Sequence, residues 1–351
     1  MKHFNKISTL TLLTTFCFPL FAGLFKIENR SFTNAALEAD GNALLDQLEN
    51  EINKNFPQID AGGYLRAIGN ATVTAGSGVG ADYQNPFKLF VVGVQGGLGV
   101  DPGTLTLNNA LKSENASKIK SIGIQAGLVG GLNLSSLPSE KIGFIPTAKA
   151  KLFFHILPAK KSFKEVTINV LDVGTHYQYQ WIDEVSFGPL LRWNGVSLTT
   201  GLSYSKTKLS YTKAIAKSSS YSVGGSATTA SFSGDIETKA NIGIFTVPLE
   251  ISSAVRLLYF LQFFGGLGAD LNYGTASGGA TLANSTFSTN PAVVTGTPTA
   301  SLGAKKGPNI VDARYFVGTG LELFAVNIYG QFTQSFPSKT YGLNVGVKAF
   351  W

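Results

Sequence analysis

The sequence predicts an all-β chain: a transmembrane, antiparallel, up-and-down β-barrel of about twelve strands, within a range of roughly ten to fourteen, preceded by a short amphipathic helix. Three observations predict it. Only 14% of the residues are charged, 40 of the 351 are Gly, and the mean hydropathy is +0.15, a combination that suits exposure to lipid better than a soluble core. No uninterrupted apolar run after the leader approaches the roughly 18 residues of a spanning helix, the longest candidate being Leu257 to Phe264. From Gly62 onward, apolar residues alternate with small or polar ones, the period of a strand with two different faces. Lipid leaves no water to satisfy backbone groups, so a membrane chain without spanning helices must close a barrel.

Residues 1–22 form the signal peptide. Lys2 and Lys6 charge its start, Leu10 to Phe18 are its apolar segment, and Ala22 offers the cleavage site. The one cysteine, Cys17, lies within it, and bulky Phe16 beside the thiol argues against lipoprotein processing. The mature chain then has no thiol, which suits an oxidising periplasm. The formal charge of +7 falls to +5 once Lys2 and Lys6 leave, and it is spread along the chain. That spread excludes the dense basic face that nucleic-acid binding requires.

Residues 23–60 are the amino-terminal helical segment, a periplasmic cap or a plug. Within 34–56, Leu37, Leu44, Leu45, Leu48, Ile52 and Phe56 fall at helical spacing, with Glu38, Asp40, Asp46, Glu49 and Glu51 on the other face. Residues 61–351 are the barrel, with strands expected near 61–75, 87–101, 119–133, 142–157, 163–177, 184–193, 196–212, 238–251, 256–275, 312–322, 324–335 and 341–351. Tight turns are expected at Asn194-Gly195 and near Ser252-Ser253 on the periplasmic side. The long connections 213–237 and 276–310 are expected as surface loops, following the rule of short inner turns and long outer loops.

The clearest strand is the last. Tyr341, Leu343, Val345, Val347, Ala349 and Trp351 alternate with Gly342, Asn344, Gly346, Lys348 and Phe350. This run resembles the carboxy-terminal assembly signal of Gram-negative outer-membrane barrels, which ends in Phe or Trp; the resemblance implies recognition by the barrel-assembly machinery. Phe187-Gly-Pro-Leu-Leu-Arg192-Trp193, Gly201-Leu-Ser-Tyr204 and Gly265-Gly-Leu-Gly-Ala-Asp270 resemble the strand texture of spirochaete outer-membrane surface proteins, leptospiral ones included. That resemblance implies surface exposure and binding of host extracellular ligands, and no functional residue carries over from it. Asn85-Pro86 together with the helical start is similar to hydrocarbon-transporter barrels, whose lumen a small hatch closes, although this chain is shorter than that family.

Arg314 and Glu322 fall on the small, polar face of one strand, and Arg192 and Lys348 also point inward; opposite charges there either line a channel or lock it shut. Lys206, Lys208, Lys213 and Lys217 gather at the root of the first long connection and Lys305 and Lys306 near the end of the second, where they are candidates to contact outer-membrane lipid, lipopolysaccharide or acidic host polymers. Gly76-Ser77-Gly78-Val79-Gly80 lacks the Lys-Ser or Lys-Thr of a phosphate loop and reads as a surface loop. His155 and His176 have no partner at metal-ligand spacing and read as structural. No Ser, His and Asp set stands out, so no catalytic, metal or cofactor site is assigned and the chain is not expected to be an enzyme. Surface ligand binding on a barrel scaffold leads the functional expectations. The alternatives are a passive pore or hydrophobic-solute transporter and a secreted soluble β-sandwich adhesin.

Overall fold

The computed structural model describes residues 25–351 apart from 33–37, 40–41, 44, 47–48, 51–60, 79–81, 84–88, 106–108, 110–118, 139–140, 143–144, 164, 224–225 and 291–293. The expected signal peptide, Asn85-Pro86 and most of the connection 102–118 lie outside the described residues.

The strands, in chain order, are β1 Phe25–Phe32, β2 Phe90–Asp101, β3 Ser121–Asn133, the short pair β4 Lys141–Ile142 and β5 Ile145–Pro146, β6 Ala150–Phe163, β7 Val166–Ile182, β8 Val185–Ser186, β9 Leu191–Val223, β10 Ser226–Leu257, β11 Leu261–Asn290, β12 Val294–Lys306, β13 Val311–Leu323, β14 Val326–Ser335 and β15 Tyr341–Phe350. One helix, α1, spans Ala61–Gly76. Among the described residues no helix is long and apolar enough to cross a membrane.

Antiparallel pairing runs β2–β3–β6–β7–β9–β10–β11–β13–β14–β15 and returns from β15 to β2. These ten strands close a single sheet on itself, an up-and-down barrel and not the two packed sheets of a sandwich. Closure matters physically because it removes the two free ends of the sheet; its shortest seam is β3–β6, where Leu128–Asn133 pair with Lys151–Ile156. The side chains divide as the alternation requires. Val94, Leu98, Ile124, Leu128, Leu267, Val317, Leu343 and Val345 are exposed on the outside, while Gln95, Gln125, Asp172, Gln178, Asp270, Arg314, Gln331 and Asn344 are buried inside. An apolar outside over a polar inside is the inverse of a soluble barrel and the signature of one that faces lipid.

With β1 and β12 beside the ten strands of the ring, the sheet runs through twelve strands, the number expected, but two of the expected strands are placed differently. The segment read as a strand at 61–75 is helix α1, whose Gly, Ala, Thr and Val texture carries no polar face because the helix is surrounded on nearly all sides. Segment 196–212 lies within β9, which also takes in the last residues of 184–193: Asn194-Gly195 is a bulge facing the single residue Ala254, with Gly195 at φ +74°, and not a turn. Ser252 and Ser253 are likewise paired within β10, and the turn comes later, at 258–260, with Leu258 and Tyr259 at positive φ. Asp183, Glu184 and the short β8 belong to the connection from β7 into β9.

The expected surface loops are also strands. β9 and β10 pair from Leu191↔Leu257 out to Val223↔Ser226, and β11 extends to Asn290 beside β12. A strand of this length reaches on the order of 100 Å, several times the roughly 25 Å apolar band of a barrel wall. The far parts of β9 to β12 therefore project beyond the barrel at the end opposite Trp351, and β1 adds to the free edge of β12, Phe25 against Ala300 and Phe32 against Val294. The amino-terminal segment expected as helix is thus strand first. Helical residues follow at 38–39, 42–43, 45–46 and 49–50. Arg30 ties them to β1 through Asp46 at 2.8 Å and Glu49 at 2.7 Å.

β1 stands at the projecting end while β2 begins at the other, and between them in sequence α1 lies in the bore. α1 packs against β2, β3, β10, β11, β12, β14 and β15. At the mouth, the Asn70 side chain accepts from the Asn309 backbone N–H at 2.8 Å; lower down, Asn344 donates to the Ser77 carbonyl at 2.6 Å. Asp82 and Tyr83 are buried beneath, and Leu89 donates to the Trp351 carbonyl at 2.8 Å where β2 begins. Gly76-Ser77-Gly78, expected in a surface loop, ends α1 inside the barrel.

The helix fits because the wall facing it lacks side chains. A Cβ on Gly99 would sit 1.9 Å from the Ala71 carbonyl oxygen, one on Gly97 2.0 Å from that of Ala75, and one on Gly123 2.4 Å from the Ala71 carbonyl carbon. Gly99→Val is expected to expel α1 while the strand ladder persists. In a Cys17→Ser background, a Thr72→Cys probe should resist maleimide in the parent and react in the Gly99→Val chain, with the barrel still migrating as a folded species before heating; a protected cysteine in both would sink the close-packing argument.

Candidate functional site: the occupied lumen

Two polar clusters line the bore where α1 and the chain after it lie. In the first, Arg314 on β13 donates through Nε and Nη2 to the two carboxylate oxygens of Asp270 on β11, at 2.8 and 3.0 Å, and through Nη2 to Glu250 on β10. Tyr83, on the descending chain, donates its hydroxyl to the other oxygen of Glu250 at 2.7 Å and packs against Phe264 and Phe316. The guanidinium also lies 5.8 Å from the Phe316 ring centroid. One cation thus bridges two carboxylates on neighbouring strands, and Tyr83 fastens the plug to the same group. Charges this deeply buried persist only when paired.

In the second cluster, His155 and His176 stack with ring centroids 5.4 Å apart, and His155 Nε2 stands 3.6 Å from Asp172. Ser205 donates to Asp172 at 2.7 Å and accepts from Gln125 at 2.6 Å. Sequence spacing gave no hint of this set, because its members come from β3, β6, β7 and β9 and meet only through strand register. It brings a serine, histidines and an aspartate together, but not as a nucleophilic triad. The Ser205 hydroxyl donates to the carboxylate and not to an imidazole, so no base is aimed at it. All its members are buried. Among the described residues no group of His, Cys, Asp or Glu is placed to hold a metal ion.

Between α1 and these clusters remains a void of about 20 Å³ bordered by Gly76, His176, Ser205 and Arg314, space on the scale of a single water and of no organic solute. Among the described residues, α1 occupies the bore at this level.

The other inward-pointing residues lie nearer the Trp351 end. Glu322 is 3.2 Å from Arg256 and accepts from Gln262. Lys348 is buried, its ammonium 4.7 Å from the Tyr329 ring centroid. Arg192 pairs with Glu184 at the rim, partly exposed, and does not join Arg314. In the terminal strand Leu343, Val345 and Val347 face outward, and Trp351 stacks on Phe90 at 4.6 Å; Tyr341 is half-buried against Phe332 and Ala349 pairs with Val92 and Val326.

Lys213, Lys217, Lys305 and Lys306 are not gathered in one place. Lys213 is exposed on β9; Lys217 pairs in backbone with Phe232, its side chain lying outside the described residues. Lys305 and Lys306 are both exposed, but as strand neighbours they face opposite sides of β12.

A closed antiparallel ring with an apolar outside, a polar inside and its own chain filling the bore defines a transmembrane-type β-barrel with an internal helical plug. The chain belongs to the Lsa36-like family, whose family model matches residues 22–351. Among curated proteins none matches the sequence. In structure it is similar to the translocator domain of the autotransporter NalP from Neisseria meningitidis, at 12% identity over 91% of this chain and 100% of that one, with a TM-score of 0.28. It is also similar to the transport unit of the autotransporter AIDA-I from Escherichia coli, at 7% identity over 82% and 99%, TM-score 0.31. The P. putida toluene transporter TodX matches at 8% identity over 81% and 93%, TM-score 0.22. With likeness this low, the architecture stands on the strand pairings themselves.

Replacing Arg314 strands two buried carboxylates, a loss of about 3–5 kcal/mol for a broken buried pair. Arg314→Met should therefore lower the temperature of the heat-induced gel shift well below that of the parent, and the triple change Arg314→Met, Asp270→Asn, Glu250→Gln should recover much of it. An unchanged midpoint in the single variant would show the cluster to be energetically idle.

Proposed function

We propose that this protein is exported to the bacterial outer membrane, assembled there through its terminal strand, and serves as a closed scaffold whose projecting strands bind ligands at the cell surface. It is not an enzyme in this reading and needs no cofactor. The observation that carries the proposal is α1: a helix buried in the bore, stitched to the wall at Asn70, Thr74 and Ser77, leaves beside Gly76 a void on the scale of one water, so the parts that meet the outside do the work. The apolar outer wall supports a bilayer location, and the alternation from Tyr341 to Trp351 supports recognition by the assembly machinery. The projections of β9 to β12, with β1 on their edge, stand on the side that short-turn and long-extension asymmetry assigns to the exterior. They offer extended strands and exposed lysines such as Lys213 to acidic host polymers and extracellular-matrix proteins.

Refolded protein in a planar bilayer is expected to be electrically silent, and a chain lacking 61–78 to show discrete conductance steps. Steps from the intact chain would overturn the scaffold in favour of a pore or hydrophobic-solute transporter. Removing 213–236, which leaves β9 and β10 joined just past the wall, should abolish binding of whole cells to matrix protein while the folded barrel remains heat-modifiable. Full binding after that trim would move the ligand site elsewhere.

A further inference from the structure

On the outer wall of the projection, just past the apolar belt, the strands form a basic depression. Register places Lys160, Asn169, Lys208, Asn241, Ser277 and Lys305 in one continuous row across β6, β7, β9, β10, β11 and β12. This row shares a face with the lipid-side residues: along β9 the outward positions read Leu198, Leu202, Tyr204, Lys206, Lys208, and along β10, read towards its start, they read Ile251, Leu249, Phe245, Asn241, Lys239. Tyr204, Phe245 and Tyr273 pair side by side as the last aromatic rung, the level at which aromatic side chains sit in the headgroup region. Lys208 lies two outward positions further, about 13 Å along the strand.

Around Lys208, Lys239 and Lys305 the wall is hollow, an open depression of about 790 Å³ floored by Ser277, Gly279 and Gly303. A Cβ on Gly303 would meet nothing within 4 Å, so the hollow exists because small residues sit between long cationic ones. Lys239 is bound to Glu237 at 2.9 Å; Lys160, Lys208 and Lys305 have no acidic residue in their row. Lys305 faces this hollow, whereas Lys306 faces the barrel mouth on the opposite side.

We propose that this depression is a binding site for the phosphate-bearing headgroup of an anionic lipid of the outer leaflet, its acyl chains lying along the apolar wall below the Tyr204, Phe245 and Tyr273 rung. The position selects a lipid over a soluble anion: the cationic row begins where the acyl region ends, on the face that continues the lipid belt. Lysines spaced two and three strands apart, roughly 10 and 15 Å, suit a headgroup with more than one phosphate. The inference rests on the membrane location proposed above, and the test separates the two.

Refolded protein in zwitterionic micelles is titrated with a bisphosphorylated glucosamine-disaccharide lipid, with its dephosphorylated counterpart and with inorganic phosphate, and retained lipid is read by native mass spectrometry. The phosphorylated lipid should be retained at least about tenfold better than the dephosphorylated one, as expected for a few lysines acting near the membrane surface. Gly303→Glu, which sets a carboxylate in open space, and the combined Lys160→Gln, Lys208→Gln, Lys305→Gln change should each remove that preference, whereas Lys213→Gln and Lys306→Gln should leave it. Glu237→Gln, freeing Lys239, should strengthen it. Equal retention of the two lipids, or displacement by millimolar inorganic phosphate, would overturn the lipid site. Failure of the parent chain to insert into micelles or vesicles at all would instead overturn the membrane location, and a folded-form gel shift in every variant guards against misfolding.

Discussion

The close approach between α1 and the glycines of β2 and β3 is the constraint on which the rest of the structure depends. A helix is about 10 Å across with its side chains, and a ten-stranded ring has little more than that to spare once its own inward side chains are in place. Gly97, Gly99 and Gly123 remove those side chains along one stripe, so the helix backbone at Ala71 and Ala75 lies directly on the wall. Polar residues elsewhere around the ring, Gln331, Asn344 and Thr340 among them, then reach the helix with their hydrogen-bonding groups. The wall is glycine-poor on the lipid side, where Val, Leu, Ile and Phe predominate, and glycine-rich where the plug touches it.

The charged cluster inside follows from the same geometry. Buried against α1, Arg314 finds its partners in the wall, where Asp270 and Glu250 supply them from adjacent strands. Tyr83 completes the arrangement from the descending chain, so the group that neutralises the lumen also anchors the plug. Such a network adds less to stability than its contact list suggests, because desolvating three charges offsets most of their attraction. Its larger consequence is specificity: only one register of β10, β11 and β13 brings the three together.

Beyond the barrel wall, the long β9 to β12 strands convert what composition alone would read as loops into a paired blade. There β10 and β11 are paired on both sides, β1 covers β12 at one edge, and β9 beyond Thr212 forms the other edge. The amino-terminal strand is thereby held at the exposed end although β2 starts at the opposite one, and α1, between them in sequence, lies in the bore. Plug, blade and edge strand are consequences of one path.

Sequence alone determined the parts of this protein that depend on a local period. The two-residue alternation in 171–181, 313–322 and 341–351 specified which side chains meet lipid, since a strand's faces are set by parity and a one-residue slip would bury the charged set in hydrocarbon. The low charge and the missing helical spans specified the membrane-barrel class, and Arg314, Glu322 and Lys348 were legible as inward. Tertiary structure decided what parity cannot encode. The texture of 61–75 reads as a strand because Gly, Ala, Thr and Val carry no helical stripe, and a helix enclosed on nearly all sides needs none. The extension of β9 to β12 was hidden because Ser, Thr, Gly and Ala-rich strands resemble loops in composition. The Gln125, His155, Asp172, His176 and Ser205 cluster and the row from Lys160 to Lys305 exist only through register between strands distant in sequence, which fixes neighbours across the sheet and leaves no trace in the order of residues along it.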